Sequence, residues 1–138
     1  GPYRYIEKTI TAAQVALLAD TAIEIVPAPG AGLIAMPVFG LLLLDWVTPA
    51  FTESSDNLAL YYTSESGVQL TELIEMTGFI TLVADSYTTI IAKKDTIVGG
   101  TAGVNAPIVL ANPNDNFGGS GGSALVVKLV YVVIPSGF

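Results

Sequence analysis

The segment Leu125-Val-Val-Lys-Leu-Val-Tyr-Val-Val-Ile134 contains the strongest strand signal in this chain of 138 residues. Val and Ile favour extended backbone, and Lys128 is the one charged residue in the run. A strand with one face in water usually alternates apolar and polar residues, and this run does not. We therefore expect both of its faces to be buried, either inside the domain or against another subunit.

Seven further β-rich runs precede this segment, separated at intervals of about ten residues by Gly, Pro, Asn and Asp clusters. Such spacing is typical of a β-sandwich or barrel. At 138 residues one domain, spanning 1–138, is the expectation. The predicted runs are Tyr3–Ile10, Ala22–Val26, Leu33–Trp46, Leu58–Thr63, Leu73–Thr77, Tyr87–Ala92, Pro107–Ala111 and Leu125–Ile134.

Local signals predict the connections between these runs. Thr11 and Gln14 have the spacing of a helix capping box, so a short helical turn is expected after the first strand. The segment Pro27-Ala-Pro-Gly-Ala-Gly32 predicts a turn, and Pro37 and Gly40 predict a bend or bulge in the third strand. Residues 78–86 fit a helical turn and a strand about equally. Residues 52–57 form an acidic loop, and residues 112–122 are predicted to be too polar and glycine-rich to pack.

The composition is unusually apolar for a chain that has no membrane-spanning signal. Hydrophobic residues make up 51% and charged residues 12%, so one small core cannot hide all the apolar surface. The run from Leu33 to Leu44 has 12 residues, whereas a spanning helix needs about 20. We therefore predict no transmembrane segment, and we expect contacts with other subunits, including copies of the chain itself in a homo-oligomer.

The charge balance excludes two classes of partner. Five Lys and Arg stand against twelve Asp and Glu, a net charge of −7. Phosphate backbones and anionic lipids would be repelled by such a surface. We predict that the chain binds neither nucleic acid nor membrane.

The residue types needed for most enzyme chemistry are absent. With no His and no Cys, the usual hydrolytic, redox and zinc sites cannot be assembled. Carboxylate pairs such as Glu72 with Glu75, or Asp45 with Glu53, are expected by chance among twelve acids and are interpreted as solvated surface. The segment 112–116 offers oxygen ligands but lacks the pattern of a calcium loop. We predict a protein that is not an enzyme, with no catalytic residues, no cofactor and no metal site.

Four aromatic residues have two possible interpretations. Trp46, Tyr61, Tyr62 and Tyr87 would suit a sugar-stacking platform, but aromatic residues in strands more often lie in the core or at subunit interfaces. We expect Trp46, at the end of the long third run, to pack against protein.

Four segments resemble small virion proteins of tailed bacteriophages, in the same order along the chain. They are Ile10-Thr-Ala-Ala-Gln-Val15, Ile23-Glu-Ile-Val-Pro-Ala-Pro-Gly-Ala-Gly32, Asn57-Leu-Ala-Leu-Tyr61 and Val127-Lys-Leu-Val-Tyr-Val-Val-Ile-Pro135. Many of those proteins have a Lys after the second motif, where this chain has Leu33, so no site is transferred from that position. The motifs are turns and strands rather than a chemical signature.

The resemblance implies an all-β, jelly-roll-like β-sandwich of about eight antiparallel strands. It also implies a head cement or decoration protein on the outer surface of the phage head, whose partners are the major capsid protein and copies of itself. A fibre or tail adhesin that binds glycans is the alternative.

We expect attachment to use the chain's ends and the glycine-rich loops, the segments least able to form the domain's own core. The candidate contact residues are Tyr3, Arg4, Tyr5, Asn112, Asn114, Asp115, Asn116 and Phe117. The alternative is that the first strand completes the domain's own sheet and the loop only faces solvent.

Overall fold

The computed structural model describes residues 2–53 and 56–138, which form eight strands and one short helix. The predicted acidic loop at 52–57 includes Ser54 and Ser55, which lie outside the described residues. The strands are β1 (Tyr3–Ile10), β2 (Ile23–Val26), β3 (Leu33–Asp45), β4 (Asn57–Tyr62), β5 (Ile74–Glu75), β6 (Ser86–Ile91), β7 (Ile108–Ala111) and β8 (Ala124–Pro135), and the helix is α1 (Ala12–Val15).

The strands form two four-stranded antiparallel sheets, ordered β1-β8-β3-β6 and β2-β7-β4-β5. The first strand pairs with the last, β2 with β7, β3 with β6 and β4 with β5. This is the pairing of one long hairpin rolled into two layers, as in a jelly roll. The predicted fold class, an all-β jelly-roll-like sandwich of about eight antiparallel strands, is confirmed.

Apolar side chains from both sheets fill the space between the layers. Alternate residues of each strand point inward, because side chains of a strand alternate between its faces. The fully buried members include Leu42, Leu44, Leu58, Leu60, Ile90, Ile108, Leu110, Leu125, Val127 and Leu129. The inner residues of β8 thus belong to the domain's own core.

The predicted capping box forms at the start of α1. Thr11 Oγ1 accepts a hydrogen bond from the Gln14 N–H at 3.3 Å, and Gln14 Oε1 accepts one from the Thr11 N–H at 3.0 Å. Each side chain satisfies a backbone donor that the first helical turn leaves free. The chain consequently turns sharply after β1 and enters the second sheet at β2.

The predicted turn and bulge are both present around β3. Gly30 and Gly32 adopt positive φ angles of 117° and 74°, which residues with a Cβ rarely adopt. The pairing of β3 with β8 shifts between Pro37 and Phe39, where one extra residue forms a bulge. Beyond the bulge β3 continues to Asp45, one residue before Trp46, where the predicted run ends.

Of the two structures predicted for residues 78–86, a helical turn and a strand, the turn is present. The N–H groups of Phe79 and Ile80 both donate to the carbonyl of Met76, at 2.9 and 3.0 Å, and β6 begins only at Ser86. Because both donors converge on one carbonyl, the backbone curls as in a helix.

The prediction that residues 112–122 do not pack is wrong. Asn112 and Phe117 are buried, and the ring of Phe117 contacts that of Phe51 with centroids 6.2 Å apart. A hydrogen-bonded bridge between Thr52 and Gly118 holds the same loop. The one aromatic residue of the segment anchors it to the core, which outweighs its polar composition.

Candidate functional site: the outer sheet face

The sheet β1-β8-β3-β6 exposes a face that points away from the second sheet, here called the outer sheet face. Ten of its fourteen side chains are apolar or aromatic, and all fourteen are at least partly exposed. A monomer rarely leaves so large a proportion of apolar side chains on one surface. The face consists of Tyr3, Tyr5, Glu7, Thr9, Phe39, Leu41, Leu43, Tyr87, Thr89, Ile91, Val126, Lys128, Val130 and Val132.

The strand register arranges these side chains in rows across the sheet. One row, formed by Tyr5, Val130, Phe39 and Ile91, is apolar on all four strands. Directly opposed residues of neighbouring strands share a face and contact one another. The row therefore makes a continuous apolar strip from one edge of the sheet to the other.

The adjacent row contains the charged residues of the face. Glu7 and Lys128 face each other, with Glu7 Oε1 3.6 Å from Lys128 Nζ. The Tyr5 hydroxyl donates to Glu7 Oε1 at 2.6 Å. The hydrogen bond from Tyr5 lowers the pKa of Glu7, and the positive charge of Lys128 lowers it further. The same hydrogen bond raises the pKa of Tyr5. The two charges offset each other, so this row adds no net charge to the face.

Two shallow depressions flank the ion pair. The larger, about 490 Å³, lies between Leu43, Asp45, Asp85, Tyr87 and Lys128. The smaller, about 170 Å³, lies over Gly40 and is bounded by Tyr5, Phe39, Leu41, Lys128 and Val130. Depressions of this kind fit side chains of an apposed surface.

The predicted contact residues of the first strand are divided by the fold. Tyr3 and Tyr5 lie on the outer sheet face and are 66% and 57% exposed. Arg4 points to the opposite side of β1, beside Pro27, Pro29 and Tyr131. The first strand completes the domain's own sheet, as the alternative interpretation has it, yet its tyrosines remain accessible.

The predicted contact residues of the loop lie in a separate cluster. Asn112 and Phe117 are buried, Asn116 is half-buried, and Asn114 and Asp115 are exposed. The loop is fixed by hydrogen bonds within the domain. Asn116 Oδ1 accepts from the Ala19 N–H at 2.8 Å, and Asn112 Nδ2 donates to the carbonyl of Asp115 at 2.6 Å. All five residues remain predicted contacts, and of these Asn114 and Asp115 are exposed in the isolated chain.

Sequence reasoning did not single out Phe39 and Val130 as contact residues. Their shared signal is a lack of alternation: Leu41 to Leu44 and Val126 to Val127 place apolar residues on both faces of β3 and β8. This signal was recognised for β8 only as burial on two faces. The inner side chains are buried by the domain, and the outer ones are left half-exposed.

The four aromatic residues considered for sugar stacking do not form a platform. Tyr61 and Tyr62 are buried on β4, and burial raises the pKa of both. The Tyr62 hydroxyl donates to the carbonyl of Ala35 at 2.6 Å. Trp46 is half-buried, and Tyr87 is 69% exposed on the outer sheet face.

Within residues 2–53 and 56–138, no three His, Cys, Asp or Glu side chains lie close enough together to hold a metal ion. The same ranges contain no helix with the length and apolar character needed to cross a bilayer.

Comparison with known proteins gives structural likeness only. No protein-family model matches the chain, and no curated protein matches it. A chain of the cyanophage Pam1 capsid asymmetric unit is similar with a TM-score of 0.49 and 13% identity, over 94% of this chain and 82% of that chain. A chain from the acidic stable capsid structure of Helicobacter pylori bacteriophage KHP30 is similar with a TM-score of 0.48 and 14% identity, over 97% of this chain and 92% of that chain. At these values the likeness assigns no function to this chain.

Proposed function

We propose that this chain is a structural protein of a phage head, a cement or decoration protein that binds the outer surface of the major capsid lattice through its outer sheet face. The observation that supports this proposal is the apolar row Tyr5, Val130, Phe39 and Ile91, accessible across a whole sheet. The order of turn and strand motifs, which resembles that of phage virion proteins, supports it independently.

Burial of the outer sheet face supplies the attachment energy. Fully burying one large apolar side chain is worth about 1.5–3 kcal/mol, so a few of these residues offset the loss of freedom on binding. Pairing of Glu7 with Lys128 makes the cost of drying this face smaller than it would be for two unpaired charges. Because a head presents many equivalent sites, modest affinity at each site suffices when copies also contact one another.

Stabilisation of the head then follows from mass action. A protein that binds the expanded lattice, and not the dissociated or unexpanded one, shifts the equilibrium toward the bound form. This role requires no chemical step, in keeping with the absence of His and Cys from the sequence.

The experiment is a binding assay on phage heads prepared without this protein. The full chain and the variant V130K are mixed with heads, and occupancy is measured by sedimentation and cryo-electron microscopy. Val130 lies at the centre of the apolar row, so an unpaired charge there should reduce occupancy at least tenfold. The matched control is V83K, since Val83 is also exposed but lies outside the outer sheet face.

The outcomes separate the competing assignments. Loss of occupancy with V130K and retention with V83K, both variants being folded, supports the proposal. Full occupancy with V130K, or density confined to one vertex or to fibres, overturns it. If V130K fills the heads but no longer associates with itself, the outer sheet face is a self-interface instead.

A glycan-binding role in a fibre or tail is the second candidate, favoured by one feature. Tyr87 stands exposed beside the depression that contains Asp45 and Asp85, and aromatic rings next to carboxylates suit sugar hydroxyls and ring faces. A glycan array separates the two candidates: a specific sugar signal that Y87A removes would put adhesion first.

A further inference from the structure

β1 lies at one edge of its sheet, with β8 on one side only. All eight residues of β1 pair with β8 in an unbroken register, from Tyr3 opposite Val132 to Ile10 opposite Leu125. Within residues 2–53 and 56–138, no strand pairs with its other side. Alternate N–H and C=O groups of β1 therefore point away from the sheet.

The alternation of hydrogen bonds across the sheet identifies those groups. The carbonyl of Ile91 accepts from the Glu72 N–H, so the backbone of Ile91 faces away from β3. Phe39 is paired with Ile91, so the N–H and C=O groups of Phe39 must face β8. From Phe39 onward the register is regular, and the same alternation of hydrogen-bonded and free pairs therefore continues through β8 to β1. The N–H and C=O groups of Arg4, Ile6, Lys8 and Ile10 consequently face β8. Those of Tyr3, Tyr5, Glu7 and Thr9 face the free edge.

The side chains of β1 leave this edge uncovered. Six of its eight residues are exposed, Ile6 is partly buried, and only Ile10 is fully buried. Inside the strand there is no proline and no bulge, two devices that usually block pairing at an edge. A regular, exposed edge strand of this length is a template for one more strand.

The charge of this edge is opposite to that of the rest of the molecule. Together β1 and β8 carry three cations, Arg4, Lys8 and Lys128, and one acid, Glu7, a balance of +2. The remaining sequence has two cations and eleven acids, a balance of −9. An acidic partner would thus be attracted to β1 and repelled elsewhere.

We propose that the free edge of β1 binds an extended acidic segment of a different polypeptide as an additional antiparallel strand. Arg4, Ile6 and Lys8 lie on one face of β1, so the matching face of the segment has the order acidic, apolar, acidic at every second residue. Backbone hydrogen bonds to Tyr3, Tyr5, Glu7 and Thr9 hold the segment, and the two cations select it.

A second copy of β1 is a poor occupant of this edge. Antiparallel pairing of two β1 strands places Arg4, Ile6, Lys8 and Ile10 of both copies on one face. That face would hold four cations and no acid, and like charges on facing strands are destabilising. The edge therefore suits a different chain better than its own copy.

On a phage head the segment would belong to the major capsid protein, and in that form the inference rests on the proposed function. The test below needs no capsid, so the two can fail separately. Its probe is the capped peptide Thr-Glu-Thr-Val-Thr-Glu-Thr, and the control peptide has Lys in place of both Glu residues.

Two NMR measurements on the full chain test the edge. Amide hydrogen exchange should be fast at Tyr3, Tyr5, Glu7 and Thr9 and slow at Arg4, Ile6 and Lys8. Titration with the acidic peptide should then slow exchange at the first group, and the Lys peptide should have no such effect.

Two variants test the recognition. T9P removes one outward N–H while leaving every bond to β8 in place, and edge strands tolerate proline at such positions. We expect at least a tenfold loss of peptide affinity for T9P and little change for T9A, which keeps the N–H. K8E should also lose at least tenfold, and the Lys peptide should then bind K8E better than it binds the unmodified chain.

Three results would overturn the inference. These are equal affinity for both peptides, full binding by a folded T9P protein, and self-association that T9P abolishes. The last would make the edge a contact between copies. Failure of the peptide test combined with loss of head binding by V130K would reject the β1 edge while leaving the proposed function standing.

Discussion

Individual residues fix the positions at which the two sheets and their loops meet. Tyr62 is buried on β4, and its hydroxyl reaches the carbonyl of Ala35 at 2.6 Å. Ala35 lies on β3, so this one bond ties the second sheet to the first. Burial also raises the pKa of Tyr62 to about 12, since the ionised phenol would lose its hydration.

We expect Y62F to lower the free energy of unfolding by about 0.5–1.5 kcal/mol at pH 7, the usual net value of one hydrogen bond. The unmodified chain should lose stability between about pH 10 and about pH 12. The pKa of Tyr62 is raised in the folded state only. Its stabilising effect is therefore complete below the unfolded pKa of about 10 and is lost above the folded pKa of about 12. Urea denaturation at a series of pH values measures both effects, and Y62F should show a smaller alkaline loss. An identical alkaline profile in Y62F would contradict this assignment.

Gly121 shows how closely the loop 112–122 fits the core. A Cβ at this position would lie 2.3 Å from two atoms of the Phe51 ring, and Phe51 is fully buried. We expect G121A to cost about 1–3 kcal/mol of stability through overpacking. G99A is the control, since a Cβ at Gly99 meets no atom within 4 Å, and its effect should stay within about 0.5 kcal/mol. Chemical denaturation of both variants provides the comparison, and equal stabilities would show that the loop does not pack as described.

Among the strands, β8 has two sets of side chains, which point to opposite faces of the sheet and have different roles. It is central in its sheet, flanked by β1 and β3, and Leu129 is fully buried while Val130 is half-exposed. The inner side chains hold the sandwich together. The outer ones form the middle of the outer sheet face.

We expect L129A to cost about 2–5 kcal/mol of stability, because it removes buried apolar volume and leaves a cavity. V130A should cost less than about 1 kcal/mol, since its side chain is only half-buried in the isolated chain. On heads the order should reverse: V130A weakens attachment, whereas L129A, where it remains folded, does not. Denaturation curves and head-binding assays on the same two proteins test this division, and parallel effects in both assays would contradict it.

At the scale of the whole molecule, two properties coexist that rarely do in a monomer. The surface is strongly acidic overall, at −7, while one sheet face is mostly apolar. The net charge opposes non-specific aggregation. Further exposed apolar side chains, among them Ile97 and Leu17, lie outside the outer sheet face.

We therefore expect the chain to form a homo-oligomer of closed symmetry, in solution or on the head. Self-association should strengthen with salt, which screens the repulsion between copies of like charge. Sedimentation equilibrium at low and high ionic strength, over a wide range of concentrations, measures it. A strict monomer under all these conditions, together with a head reconstruction that lacks contacts between copies, would reject the prediction.

Local sequence patterns predict much of the secondary structure of this protein. Side-chain alternation defined β1 from Tyr3 to Ile10, the Thr11 and Gln14 pair defined the helical turn, and Pro37 marked the bulge. These features depend on residues within a few positions of one another, so local patterns suffice to predict them. The approximate strand number and the all-β class follow from the same signals.

The tertiary structure determines which distant residues are in contact. It joined β1 to β8 across the length of the chain, and it buried Phe117 against Phe51 in a loop that looked too polar to pack. It also turned Tyr5, Phe39 and Val130 into one row, although they are far apart in sequence. Strand pairing and the choice of buried face are set by the summed packing of the whole core, and no local pattern contains that sum.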